Sequence, residues 1–454
     1  MRPRCRELLC LLLVLCTLPV GATDLLDLYD LTMAGNPTLK GQEFAIDQAK
    51  AQKSQALSKL LPQVSAVGDQ SYNQITQLTQ LSITQPAHNV TTFYRGRRGV
   101  AQAQQALIDL PSLLRFIGAG HAVIQSELEL EAARMTMTGE LLERYFNVLE
   151  AQDELSSIEG EKQHTEGQIK RLRRMRESET ATVTDLYEVE SYYQKLLTDE
   201  IDIRNSRLVA LEKLRELSGI PIDEVAPLAK DRLPDVPGEM DRWVAEAIRD
   251  HPALRALQYG IDSAHKNVQG AQAEHLPKMS LNLSEIHSEN GSYDMRISTP
   301  YTVGTVDLRL NVPIYSGGGT EASVRESVAH YHMVLEKREE KYRQIERETR
   351  TAYLEARTGR ARIGSTGKEI AFREKARDAQ QKSYEYGTAT IITVLESKKN
   401  LLKARFEEAK ARYDYIRSLV ALHLWAGNLS LSYVEEINGW LVASRLITGH
   451  GRRL

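Results

Sequence analysis

Asn36-Pro37-Thr38-Leu39 returns as His251-Pro252-Ala253-Leu254, Ile46-Asp47-Gln48-Ala49 as Ile261-Asp262-Ser263-Ala264, and Leu61-Pro62-Gln63 as Leu276-Pro277-Lys278, all at one common separation. Further on, Tyr145 pairs with Tyr353, Thr182 with Thr390, Glu188 with Glu396 and Gly219 with Gly427, at a second, slightly smaller separation. Each match alone is worthless; one order kept across both halves is not chance. The chain reads as two copies of one unit, too few for a solenoid, which buries its faces only with about three or more repeats.

Proline placement shows the layout of the unit. Residues 112–220 contain none, and none follows Pro313. Both zones are rich in Ala, Leu, Glu, Gln, Lys and Arg at helical spacing. Leu395, Leu402, Phe406, Ala409, Tyr413, Ile416 and Val420 make a heptad-like seam, the mark of long helices packed side by side. From Ser112 to about Ser178 such a helix would reach ~100 Å at ~1.5 Å per residue. Between the helices the period changes. Val306, Leu308, Leu310, Val312 and Ile314 alternate with Asp307, Arg309 and Asn311, and Met279, Leu281 and Leu283 alternate with Ser280, Asn282 and Ser284. That is strand patterning with an apolar face of Met279, Leu281, Leu283, Val306, Leu308, Leu310 and Val312. Asn290-Gly291 and Pro300 lie in the polar connection. The first copy repeats the plan after Pro62 and near 100–108, with weaker alternation. These strands suit a transmembrane barrel wall; the same pattern also fits an ordinary half-buried hairpin. Four strands cannot close a barrel, since barrels begin near eight, so a wall of this kind requires several chains, and the arithmetic allows eight, twelve or sixteen strands.

Arg2, Arg4 and Arg6 precede the apolar run from Leu8 to Val20, which reads as a secretory signal peptide over 1–22, cleaved after Ala22. Cys5, Cys10 and Cys16 all fall inside it, so the mature chain is expected to use neither disulfides nor thiol chemistry. Leu15 before Cys16 argues against a lipid anchor. A net charge of −3 excludes a general affinity for nucleic acid.

The layout resembles the TolC family of outer-membrane efflux and secretion channels. The resemblance is carried by the two Asn/His-Pro openings, the two Leu-Pro steps, Val312-Pro313-Ile314-Tyr315-Ser316-Gly317-Gly318, Tyr145-Phe146-Asn147-Val148-Leu149, and Tyr384-Glu385-Tyr386-Gly387 followed by Thr390-Ile391-Ile392 and Val394-Leu395. It implies an α+β membrane protein: a homotrimer whose chains each give four strands to a twelve-stranded outer-membrane barrel, above a periplasmic α-helical barrel with a coiled-coil tip. The first repeat would cover 23–235, with a hairpin about 63–108 and long helices over 112–218. The second would cover 236–445, with a hairpin about 278–314 and long helices over 319–426, before a tail at 446–454. The Pro-rich residues 219–238 and those after Gly427 would form a belt. The implied partners are outer-membrane lipid, a periplasmic adaptor, and an inner-membrane pump of ABC or proton-driven type. The alternative, from the helical hairpins alone, is a periplasmic coiled-coil adaptor without a barrel.

The resemblance also places the tunnel entrance at the turns between long helices. Asp185, Glu396, Thr393 and Tyr384 would form the constriction, and Glu179, Thr182, Gly387, Thr390, Arg173 and Arg174 the adaptor-contact tip. Thr393 stands where the family often has an aspartate, Ala389 where it can have an arginine, and Glu179 where it has a glycine, so an arginine lock onto Asp185 is not available. Three symmetry-related copies of Asp185 or Glu396 would attract cations; solvated helix acids are the other reading. The basic run Lys170, Arg171, Arg173, Arg174 and Arg176 reads either as a collar steering an acidic partner or as a solvated face.

Nothing looks catalytic. Gly317-Gly318-Gly319-Thr320 lacks the Gly-Lys-Ser/Thr of a phosphate loop and reads as a turn from strand to helix. His330 and His332, two apart on a helix, point in different directions and suit no common metal. Asn89, Asn282, Asn290 and Asn428 start glycosylation-type triplets that carry little meaning in a bacterial-type exported protein. No cofactor is expected.

Overall fold

The computed structural model describes residues 24–79, 84, 86–178, 182–229, 233–289 and 300–442; the expected signal peptide, the Asn290-Gly291 turn, Glu179 and the 446–454 tail lie outside the described residues. In chain order the elements are α1 (Leu25–Gly35), α2 (Pro37–Ser58), β1 (Gln63–Thr79), β2 (His88–Ile108), α3 (Leu110–Glu177), α4 (Val183–Ser218), α5 (Met240–Asp250), α6 (Pro252–Ala273), β3 (Lys278–Glu289), β4 (Tyr301–Asn311), α7 (Gly319–Glu385), α8 (Ile391–Trp425) and α9 (Leu431–Asn438). They fall into two compact units.

One unit takes in Pro37–Arg134 and Val244–Glu348. Its four strands form one antiparallel sheet in sequence order, β1-β2-β3-β4. Asp109 starts α3 by accepting from the Ser112 backbone N–H at 3.1 Å and the Ser112 hydroxyl at 2.7 Å, with Pro111 in the first turn where no N–H is needed. β4 ends at Asn311, one residue short of Val312. Pro313 has no N–H for the ladder, so Val312 sits past the strand rather than within the wall strand expected of it. Gly317 and Gly318 then turn the chain into α7 with φ of +63° and +81°, conformations that side-chain-bearing residues avoid. α6 begins with His251 as N-cap, its ring accepting from the Ala253 N–H.

The other unit takes in residues up to Asn36, Met135–Trp243 and from Thr349 on. Leu25, Leu28, Leu141, Leu142, Tyr145, Phe146, Tyr413, Tyr415 and Ile416 are fully buried at its centre. The Pro-rich segment 219–238 is mostly irregular, and an extended segment of that kind makes no hydrogen bonds within itself. Its carbonyls are met by aromatic side chains of the helices. The Tyr145 hydroxyl donates to Ala226 O, Tyr415 to Pro234 O, Tyr353 to Gly238 O and the Trp243 indole to Pro237 O. Arg360 adds an ion pair to Asp235 at 2.6 Å. A single antiparallel bridge joins Leu228 to Leu441. Among the described residues no helix is long and apolar enough to cross a membrane.

Candidate functional site

Two places carry the features expected of a site. The first is the sheet. Directly opposed residues share a face, so the register sorts the side chains. Met279 faces Leu310, Leu281 faces Leu308, and Leu283 faces Val306. Ala103 lies beside Leu283 and Val64 beside Ala103, extending that apolar face across all four strands. The opposite face at the same level carries Gln63, Gln104, Asn282 and Asp307, the last two hydrogen-bonded at 2.9 Å. Val306 and Leu310 are exposed at 72% and 63%, so this apolar face is uncovered in the single chain. Both outer strands, β1 and β4, have one unpaired edge in the single chain.

The second place is the tip, where α3 passes to α4 and α7 to α8. Thr182 caps α4 by accepting from the Asp185 N–H at 3.1 Å, and Thr390 caps α8 by accepting from the Thr393 N–H at 3.4 Å. These are side-chain caps in the sense of elementary helix chemistry. Gly387, at φ +74°, closes the end of α7 with its N–H on Tyr384 O. Beneath the caps, Ile169, Leu172, Leu186, Val189, Ile391, Val394 and Leu395 pack into one cluster, with Tyr384 against it. Burial drives the packing and sets where the polar groups emerge.

Several polar contacts cross between the two helix pairs, and one of them lies at the tip itself. The Tyr384 hydroxyl donates to the Asp185 carboxylate at 3.0 Å. Partial burial, then the bond to the Asp185 charge, push the phenol up to about 12, so the donor keeps its proton at neutral pH. A cavity of about 860 Å³ adjoins this contact, lined by Arg171, Asp185, Arg377, Tyr384 and Lys398 among others. Lys398 is nearly buried and reaches Glu161 at 3.5 Å and Gln168 at 2.8 Å. Thr393 and Glu396 are exposed on α8, and no hydrogen bond or ion pair joins Glu396 to Asp185 or Tyr384 among the described residues. The basic run is largely neutralised within the chain: Lys170 pairs with Glu166, Arg171 with Glu385 and Arg173 with Glu190, while Arg174 donates to the Lys170 carbonyl.

Sequence reasoning named Tyr384 and Asp185 separately but not as a pair. No local pattern signals that bond, because the partners are on helices distant in sequence. The Lys398–Glu161 bridge was missed for the same reason. Among the described residues, no group of three His, Cys, Asp or Glu could hold a metal ion.

Two pairs of long capped helices and a four-stranded sheet that is apolar on one face define the class. The profile of the family described as outer membrane efflux protein matches residues 28–220 and 243–428, and the chain belongs to that family. It is similar to the alkaline protease secretion protein AprF of Pseudomonas aeruginosa, 26% identical over 94% of this chain and 88% of the relative. It is also similar to the outer membrane protein TolC of Vibrio cholerae, 23% identical over 94% and 95% of the two chains. Among solved structures the fold matches CusC with a TM-score of 0.78, at 14% identity over 89% and 92% of the chains. It matches the Campylobacter jejuni CmeC outer membrane channel with a TM-score of 0.76, at 15% identity over 92% and 90%. The protein is therefore an outer-membrane protein of efflux and secretion type, from a family of channels rather than of enzymes. The alternative of a periplasmic adaptor without a membrane barrel is set aside.

Proposed function

We propose that three copies of this chain form the exit duct of a tripartite efflux or type I secretion system, conducting cargo passively from an inner-membrane pump across the periplasm and outer membrane. The observation that carries this reading is the sheet: four strands, two open edges, one apolar face and one polar face. Open edges are not tolerated in hydrocarbon, and four strands cannot close. Three chains give twelve, with Met279, Leu281, Leu283, Val306, Leu308 and Leu310 toward lipid and the Asn282–Asp307 face toward water. The two repeats, 23–235 and 236–445, each supply one hairpin of the wall and one pair of tunnel helices.

Asp185 and Tyr384 sit at the tunnel entrance, where their bond ties α4 to α7 and holds the helix pairs together. Glu396 and Thr393 line the approach to that constriction. Thr182, Gly387, Thr390, Arg173 and Arg174 face the periplasmic adaptor, with an ABC or proton-driven pump behind it. Relatives named for alkaline protease secretion and for solvent efflux span both kinds of system. The test is native mass spectrometry of the detergent-purified protein, followed by conductance in planar lipid bilayers. A particle of three chains giving small, steady conductance steps supports the duct; a monomer that fails to enter lipid refutes it.

A further inference from the structure

The helices under the sheet repeat the order of its strands. Arg134 of α3 pairs with Glu43 of α2 at 3.0 Å, Arg115 of α3 pairs with Glu274 at the end of α6, and the Tyr331 ring of α7 lies 5.7 Å from His265 of α6. The order α2-α3-α6-α7 matches β1-β2-β3-β4, with α2 and α7 at the two ends. All of these residues belong to one unit.

Each end helix carries two stripes on opposite sides. On α2, Leu39, Ile46 and Ala49 are buried, while Phe44, Gln48, Ala51 and Gln55 are exposed, Phe44 at 71%. On α7, Val324, Val328, Tyr331 and Leu335 are half-buried, while Ala322, Glu326, Ala329 and Met333 are exposed, Met333 at 47%. Both exposed stripes advance by four, three and four residues, the spacing of a coiled-coil seam.

Closing the wall brings these two stripes together. β4 of one copy then pairs with β1 of the next, and because the strands alternate in direction, the helix entering β1 and the helix leaving β4 run antiparallel across the boundary. Each helix joins its strand through a hydrogen-bonded turn, Leu61 N–H to Ser58 O and Gly319 N–H to Ser316 O, both at 3.1 Å. Gln63, Gln104, Asn282 and Asp307 share one row of the sheet, and β4 runs four residues past that row, to Asn311. At ~3.3 Å per residue and a ~40° tilt this overhang is ~10 Å of height, and the same tilt slopes the row by ~9 Å over three strand spacings of ~4.8 Å. The slope offsets the overhang, so α2 ends and α7 starts at about one height.

From that height the two stripes keep step. Phe44, Gln48, Ala51 and Gln55 stand fourteen, ten, seven and three residues before Ser58, the end of α2. Met333, Ala329, Glu326 and Ala322 stand the same fourteen, ten, seven and three residues after Gly319, the start of α7. Antiparallel packing therefore sets Phe44 against Met333, Gln48 against Ala329, Ala51 against Glu326 and Gln55 against Ala322. Every long polar side chain meets an alanine, the large-against-small alternation that lets facing helices interdigitate, and at the far end a thioether meets an aromatic ring.

We propose that α2 of one copy and α7 of the next form this seam, which rests on the exit-duct reading and deepens it by naming the helix faces through which the copies recognise one another. The register follows from the chain alone, with Gln48 level with Ala329 of the next copy.

The test is oxidative cross-linking of the full chain in isolated membranes, read on a denaturing gel. The cysteines of the sequence, Cys5, Cys10 and Cys16, all precede Ala22, so introduced pairs report alone. Gln48→Cys with Ala329→Cys should give linked species of two and three chains. Gln48→Cys with Ala322→Cys is displaced by ~10 Å along the helix, past the ~7 Å reach of a disulfide, and should link about ten-fold less. Equal yields from the two pairs, or a link confined within one chain, overturn the seam. Adding Ala51→Glu to the first pair sets two carboxylates at one level and should cut its yield about three-fold, and Glu326→Ala on top of that should restore it. A yield that Ala51→Glu leaves unchanged, or that Glu326→Ala does not restore, overturns the facing of 51 and 326. Native mass spectrometry of the same proteins separates this inference from the duct: a three-chain particle without cross-links removes the seam and leaves the duct standing, and a monomer removes both.

Discussion

Acid should loosen the start of α6 through a single imidazole. His251 is 5% exposed, and its Nδ1 accepts from the Ala253 N–H at 3.2 Å as the helix N-cap. Burial, and secondarily the Lys341 charge, lower its pKa from 6.5 to about 4. The folded value lies below the unfolded one, so the opened chain binds the extra proton. Stability is full above pH 6.5, declines as pH falls toward 4, and is level below that. The full gap is worth about 3 kcal/mol. At pH 5 the loss is about 2 kcal/mol, a rise of about thirty-fold in the opening equilibrium. His423 is lowered to about 4 as well, but it lies in the other unit, so the readout must be local. Hydrogen–deuterium exchange of the first turn of α6, corrected for intrinsic rates, supplies it at pH 7 and pH 5. His251→Asn keeps a good capping acceptor without a titration, and its protection should be nearly independent of pH. Lys341→Met should raise the folded pKa of His251, so the loss should level off at a higher pH and be smaller in total. If wild type and His251→Asn lose protection equally between pH 7 and 5, the imidazole is not the cause.

Tyr384→Phe removes the hydroxyl that donates to Asp185, a bond to a charge at a partly exposed site worth about 1 kcal/mol per chain. In planar bilayers it should raise conductance, and an unchanged value would show that this bond does not hold the entrance. Glu396→Ala should weaken cation preference in the same assay; if reversal potentials in a salt gradient stay where they were, the carboxylate ring at that position is wrong. Ile158 is fully buried against Leu196 and Leu402, so Ile158→Ala should cost about 3 kcal/mol through lost burial and a cavity. Denaturant titration would expose the error if the midpoint did not move.

The long helices and second-copy strands were legible because their signals are local. Proline exclusion and helical spacing over 112–220 correspond to α3 and α4, and period-two alternation marked β3 and β4. The first-copy strands were harder to see. β1 and β2 run 17 and 21 residues, yet their shared face near the middle holds Ala66 with Ala101 and Gly68 with Gly99, too small to show as an apolar beat. The alternation through Val312 and Ile314 overran the strand, since hydropathy continues past Pro313 while the ladder cannot.

The candidate site divides in the same way. Thr182 and Thr390 were legible as matching positions of the two halves, whereas their capping of α4 and α8 came from the structure. The sequence by itself also disclosed the repeated motifs of the two halves, the alternating faces of β3 and β4, and the membership of an outer-membrane efflux family. Tertiary structure alone decided that Tyr384 meets Asp185, that most of the basic run is answered by Glu166, Glu385 and Glu190, and that tyrosines and Trp243 satisfy the carbonyls of the Pro-rich segment. Periodicity and capping are written in neighbours along the chain, whereas the partner of a charge or a carbonyl is set by which distant helix packing brings within about 3 Å.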